Sequence, residues 1–241
     1  MVERTRSLPP LTSSLRLTSE TLTHLMLPRT LTQYYDPTSQ YRVLDIQSAD
    51  DLDYSLLEIE PRLNGLDIPS LSILNLGAGR GEGILSGHIQ ELPVKHITNV
   101  ELFDDALWML SHCAHIAQSV DFIHEDMLEF CRTQRDQSYD VAFVFDALEH
   151  LTRDEGLELL EHLKRIVRKR TLIWVPFGET PQDGYDGNPW QEHRSTWTPY
   201  DFAKLYASNT EKAPTVQIDL CWRHWHVQGF PYAGWVVINY A

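Results

Sequence analysis

Residues 75–83 read Asn-Leu-Gly-Ala-Gly-Arg-Gly-Glu-Gly, with four glycines in seven positions. Glycine at that density gives up side-chain packing for backbone freedom, and its chemical use is to let a ligand lie against the main chain near a helix N-terminus. The apolar run Leu71–Leu74 precedes the stretch and a helix-compatible segment follows it, so it reads as a strand-to-helix turn. Two ligand classes use such a turn: dinucleotides and the sulfonium methyl donor S-adenosylmethionine. A dinucleotide fingerprint started at Gly77 needs its third glycine at position 82, where Glu82 stands. A carboxylate there would face a pyrophosphate with like charge, whereas the methyl donor has no phosphate and carries a positive sulfonium and ammonium. Charge therefore favours the methyl donor.

Further groups with usable chemistry follow at intervals. Glu101 closes an apolar run 20 residues after Gly81, and Asp126 follows the next one. Asp146, Glu149 and His150 come just after a third, "VAFVF". The Gly-, Pro- and Asn-rich stretch 183–199 carries Trp190, His193 and Trp197. It reads as a substrate-facing loop, the alternative being a surface loop anchored by its own aromatics. His150 and His193 are the histidines expected at this edge, and imidazole is the side chain whose ordinary pKa suits a proton acceptor near neutral pH. His112 and His115 around Cys113, and His224 with His226, are too isolated to make a metal-ligand set, so no metal is expected.

The elements that must position these groups alternate regularly. Strands are expected at Leu71–Leu76, His96–Val100, Asp121–His124, Val141–Phe145 and Thr171–Val175. Helices are expected at Glu82–Glu91, Asp104–Ala117, Met127–Arg132 and Arg153–Val167. Near-continuously apolar strands separated by amphipathic helices imply a parallel sheet covered on both faces. The rhythm breaks at the end: after a helix-like stretch Thr198–Ser208, two strands, "TVQIDLCW" and "GWVVINY", are joined by 11 residues. That is short for a crossover and suits an antiparallel pair. Upstream, residues from about 50 suggest a short helix closed by Asn64-Gly65. Residues 1–68 read as a partly flexible extension and a candidate lid, and 69–241 as the ligand-binding domain.

In this order the motifs resemble those of the class I S-adenosylmethionine-dependent methyltransferases, small-molecule type. "ILNLGAGRGEG" resembles the family's first motif, with Gly77, Gly79 and Gly81 in its glycine positions and Asn75 where Asp is common. The resemblance runs over about residues 70–175. It implies a Rossmann-like, doubly wound α/β sheet of seven strands, mostly parallel with one antiparallel strand near the C-terminus. It also implies a donor site of Gly77, Ala78, Gly79, Gly81, Glu101, Leu102, Asp126, Met127 and Asp146, with Glu101 on the ribose hydroxyls and Asp126 and the Met127 N–H near the adenine. His150 and His193 then stand as catalytic candidates, and Glu149, Trp190 and Trp197 as acceptor-binding ones. The implied activity is in-line methyl transfer from S-adenosylmethionine to a small-molecule acceptor. The alternatives are a nicotinamide-dependent oxidoreductase, disfavoured by Glu82 and the terminal antiparallel pair, and a non-catalytic module of the same fold.

Composition narrows the field further. A net charge of −14 argues against nucleic acid as partner, since that affinity comes largely from neutralising phosphates. The one basic run, "KRIVRKR" at 164–170, reads as a solvated helix end whose charge complements the helix dipole. Three scattered cysteines suit a reducing compartment, and neither a signal peptide nor an apolar run of about 20 residues is evident. A cytoplasmic protein without membrane attachment is expected.

Overall fold

The computed structural model describes residues 35–36, 41–43, 59–81, 84–184, 186–206, 213–221 and 232–240. Seven strands build the sheet that matters for the site: β3 (Ser72–Leu76), β4 (His96–Glu101), β5 (Val120–His124), β6 (Tyr139–Phe145), β7 (Val167–Phe177), β8 (Thr215–Cys221) and β9 (Tyr232–Asn239). Their spatial order is β8-β9-β7-β6-β3-β4-β5. Pairings among β3 to β7 are all parallel, and β9 runs antiparallel to both β7 and β8. The extension adds two short strands beyond β8: β2 (Tyr41–Val43) pairs parallel to it, and β1 (Tyr35–Asp36) pairs antiparallel to β2. The sheet thus has nine strands, two more than expected.

Apolar residues on both faces of each central strand explain why helices cover both sides. All seven residues of β6 are buried. On one face, Leu74, Leu76, Ala142, Val144, Ile173 and Val175 pack with Leu159, Leu160 and Leu163 of α4 (Arg153–Ile166), Leu128 of α3 (Met127–Thr133) and Phe202 of α5 (Pro199–Leu205). On the other, Ile73, Ile97, Phe143, Leu172, Trp174 and Trp235 pack with Ile89 of α1 (Ile84–Gln90) and with Ile59 and Leu63. α4 begins at a reciprocal Thr152/Glu155 capping box and α5 at a Thr198/Asp201 one, devices that satisfy orphan N–H groups and stabilise each helix by about 1 kcal/mol. Among the described residues no helix is long and apolar enough to cross a membrane.

Two expectations are corrected here. The helix expected over Asp104–Ala117 ends at Ser111 as α2 (Asp104–Ser111). The segment beyond it sends its backbone N–H groups elsewhere, Ile116 to the Gln90 carbonyl and Gln118 to the Val94 carbonyl, so it ties α1 to β5 instead of prolonging a helix. The basic run is a helix end only in part: Lys164 and Arg165 lie in the last turn of α4, which stops at Ile166, and Val167 opens β7. Arg168 and Lys169 both reach Asp140, 3.1 Å away, and Arg170 is bonded to the Arg62 carbonyl and to Asn239. The charges brace the sheet from below. Of the helix expected upstream of Asn64, the described part is a 3-10 turn at Glu60–Leu63, followed by Gly65 at φ +84°; the rest, like His224, His226, Glu82 and most of the candidate lid, lies outside the described residues.

Candidate active site

Parallel strands β3 to β7 bring their carboxyl ends to one edge, and the chain reverses direction of winding between β3 and β6. Ligands of open α/β sheets bind at such a switch point. The residues following β3 and β6 do meet there: a Cβ on Gly77 would stand 2.6 Å from the Cβ of Ala147.

The glycine turn is shaped by positive φ at Gly77 (+61°), Gly79 (+64°) and Gly81 (+75°), a region L side chains seldom adopt. Their surroundings differ. A Cβ on Gly81 would strike Leu110 and the Gln90 amide at 2.7 Å, so this glycine serves packing of the turn against α1 and α2. A Cβ on Gly79 would meet nothing within 4 Å. The backbone at Gly79 therefore borders open space, as a ligand-cradling turn requires. Ala78 is fixed by its N–H on the Val100 carbonyl at 3.1 Å.

Glu101, at the end of β4, is 91% shielded from solvent and accepts the Gly79 N–H at 2.9 Å and the Phe103 N–H at 2.8 Å. Its carboxylate fixes the turn beside Gly79. Leu102 follows it and accepts at its carbonyl from His124 Nε2 at 2.8 Å. Asp126 caps α3, accepting from the Leu128 and Glu129 N–H groups at 2.9 and 3.0 Å through Oδ1. That cap orients the turn at which Met127 begins α3. Asn75 donates to the side chain of Asn99 at 2.8 Å, both amides buried in the sheet. Among the described residues, Asp146 is one of three that are not glycine and have positive φ, here +45°, and its N–H is held by the Trp174 carbonyl. Strain of this kind persists only where surrounding structure enforces it, and it is concentrated at functional sites.

The residues expected on the acceptor side come from two distant segments. After β6 a 3-10 turn, Leu148–His150, carries Glu149 and His150. The Glu149 carbonyl accepts the Arg194 and Ser195 N–H groups at 2.8 and 3.0 Å, docking the 183–199 loop onto this turn. His150 Nδ1 lies 3.1 Å from the Glu192 carbonyl. His193 Nδ1 lies 2.5 Å from the Thr180 carbonyl, and the two imidazole rings are 5.0 Å apart at a steep angle. One ligand-capable atom from each of Glu149, His150 and His193 lies within 4.8 Å of the other two. The expectation of no metal-ligand set looked at histidines close in sequence; this cluster draws on residues 43 apart.

The two tryptophans of the loop part ways. Trp190 is 52% exposed, next to an Asn188 side chain that accepts its N–H at 2.9 Å. Trp197 is corrected from acceptor-binding to structural: it is fully buried, stacked on Phe202 at 5.4 Å, with Arg153 over its face and Gly156 against its edge. A Trp so enclosed presents no surface to a ligand, and it anchors the loop to α4 and α5. His112, by contrast, packs on Trp108 and holds that residue's carbonyl, a local structural role.

One site residue escaped the sequence reading. Arg80, inside the glycine turn, is ion-paired with Asp186 and so connects that turn with the 183–199 loop. The signal available was a lone cation within the motif, which gives no hint of a partner more than 100 positions away.

Residues 74–175 match the model of a methyltransferase domain. No curated protein matches the chain by sequence. Among solved structures, the magnesium protoporphyrin IX methyltransferase of Synechocystis with bound SAM superposes with a TM-score of 0.51 at 12% identity, covering 76% of each chain. The 1,6-didemethyltoxoflavin-N1-methyltransferase of Burkholderia thailandensis, bound to 1,6-didemethyltoxoflavin and S-adenosylhomocysteine, gives 0.50 at 17% identity, covering 78% of this chain and 80% of that one. The small RNA methyltransferase HEN1 gives 0.53 at 16%, covering 82% of this chain and 26% of its own. At such identities the likeness is one of fold.

Proposed function

We propose that this chain, which carries a methyltransferase domain of the class I, S-adenosylmethionine-dependent family, methylates a small-molecule acceptor. The observation that carries the reading is the open space at Gly79 flanked by the Glu101 carboxylate. A ligand with vicinal hydroxyls fits it.

When bound, S-adenosylmethionine supplies an electrophilic methyl group on a sulfonium. The chain's own residues then have three tasks. The glycine turn and Glu101 hold the donor, with Leu102, Asp126, Met127 and Asp146 lining the same carboxyl edge. Trp190, half exposed, bounds the acceptor's side of the edge, and the buried Glu149 docks the loop there through its carbonyl. Rate comes chiefly from orientation, since in-line attack needs the acceptor atom about 3–3.5 Å from the methyl carbon. His150 and His193 stand where the proton of a hydroxyl acceptor would be taken up. A small acceptor is favoured over a nucleic acid by the net charge of −14.

Isotope-labelled donor added with purified protein to a cell extract tests the reading. A small metabolite should gain a methyl mass, and the His150→Ala and His193→Ala variants should lower that gain while leaving donor affinity within a factor of a few. Labelled RNA with no labelled metabolite would overturn the small-molecule reading.

A further inference from the structure

We infer that Glu149, His150 and His193 bind a divalent transition-metal ion, an inference that rests on the methyltransferase reading for the ion's use but not for its binding. The three side chains come from two segments that the fold brings together, with a donor atom of each within 4.8 Å of the others. Bonds to such an ion are about 2.0–2.2 Å long, so the three atoms lie near the separation that a shared ion sets.

The tautomers support it. A carbonyl oxygen only accepts, so the Nδ1 facing the Glu192 carbonyl in His150 and the Nδ1 facing the Thr180 carbonyl in His193 must each carry the proton. In both rings the lone pair therefore lies on Nε2. Backbone carbonyls on one imidazole nitrogen are the outer-shell support that orients the other nitrogen toward a metal. Glu149 is 1% exposed, and a carboxylate so little screened gains more from a nearby dication than a surface one does. Two imidazoles with one carboxylate suit Zn²⁺, Co²⁺ or Mn²⁺ over Mg²⁺ or Ca²⁺.

Three protein ligands leave a coordination position for the acceptor. An acceptor hydroxyl bound there loses its proton to water because the ion lowers its pKa. Its oxygen lone pair then forms the bond to the methyl carbon, and the carbon–sulfur bond breaks with both electrons remaining on sulfur, turning sulfonium into thioether. The histidines act through the ion in this scheme, so no side-chain base is required.

Tag-free full-length protein, stripped with a chelator, is titrated with Co²⁺ and followed by visible absorption and by metal content after dialysis. One ion per chain is expected, bleached from the spectrum by Zn²⁺. His193→Ala, which alters a loop residue, and His150→Ala should each weaken uptake tenfold or more. His112→Ala, outside the cluster, should leave it unchanged. Absence of saturable uptake, or uptake that survives in both cluster variants, overturns the site. Calorimetry with S-adenosylmethionine on the same stripped protein separates the two ideas: donor binding without Co²⁺ uptake rejects the metal site alone, and Co²⁺ uptake without donor binding rejects the methyltransferase reading alone.

Discussion

The glycine-turn side and the histidine side of this edge, proposed to take the donor and the acceptor, are built on different principles. Around the glycine turn the site is main chain: three positive φ angles, an open space at Gly79 and one carboxylate bracing two N–H groups. Across the edge it is side chains, held by a loop that docks through the Glu149 carbonyl and a buried Trp197. Backbone geometry of the first kind demands particular residues at fixed spacing. The second kind demands that two segments 40 or more residues apart arrive together, and leaves each residue's identity freer.

The comparison is broken most severely at Gly79. Gly79→Val should reduce donor binding at least about 100-fold, because a side chain fills the ligand's approach and strains a left-handed backbone. Its melting temperature should move less than that of Gly77→Ala, whose added methyl collides with Ala147. Equal loss of donor binding and folding in both variants would remove the distinction between cradle and packing.

On the other side, Trp197→Ala should cost about 3–5 kcal/mol of folding stability by leaving a large cavity. Trp190→Ala should cost under about 0.5 kcal/mol, as exposed positions do. Chemical denaturation reads both, and a large loss at Trp190 would mean that the loop is anchored differently.

Glu101→Ala sharpens the donor side. Affinity for S-adenosylmethionine should fall by roughly 1.5–3 kcal/mol, the range for hydrogen bonds to a charged group, and stability should fall too because the Gly79 and Phe103 N–H groups lose their acceptor. Unchanged affinity in a folded variant would assign Glu101 to structure alone.

A further effect lies away from both sides, at Asp140. Burial pushes its pKa up, but bonds from Arg168, the Ser72 N–H and Lys169 outweigh this and hold it at about 2. The unfolded value is about 3.9, so the stabilisation is present in full above that pH and is lost as pH falls through about 2. Asp140→Asn should cost about 1–2 kcal/mol at pH 7, with the gap to the parent protein closing between about pH 4 and pH 2.

This division of labour also explains what could be read from residues alone. Strands β3, β4 and β6 announce themselves because burial on both faces makes each a short, largely apolar block, and β6 has no exposed residue at all. Gly77, Gly79, Gly81 and Glu101 are legible because their offsets follow from one turn and the next strand. What sequence misses is contact across distance. The Arg80–Asp186 pair and the burial of Trp197 depend on where a loop lies, whereas His150 and His193, expected at one edge, do meet there. The second half of the basic run misleads for the same reason, since the Asp140 that Arg168 and Lys169 reach lies on a neighbouring strand and not on the helix.

The central claim is that the glycine turn and Glu101 hold a sulfonium methyl donor. Isothermal calorimetry of the full-length protein against S-adenosylmethionine, S-adenosylhomocysteine and NAD tests it most directly. The account predicts that the first two bind at one site per chain, that NAD gives no heat of binding, and that Gly79→Val abolishes the signal. Tight binding of NAD with no response to either sulfur compound would contradict it.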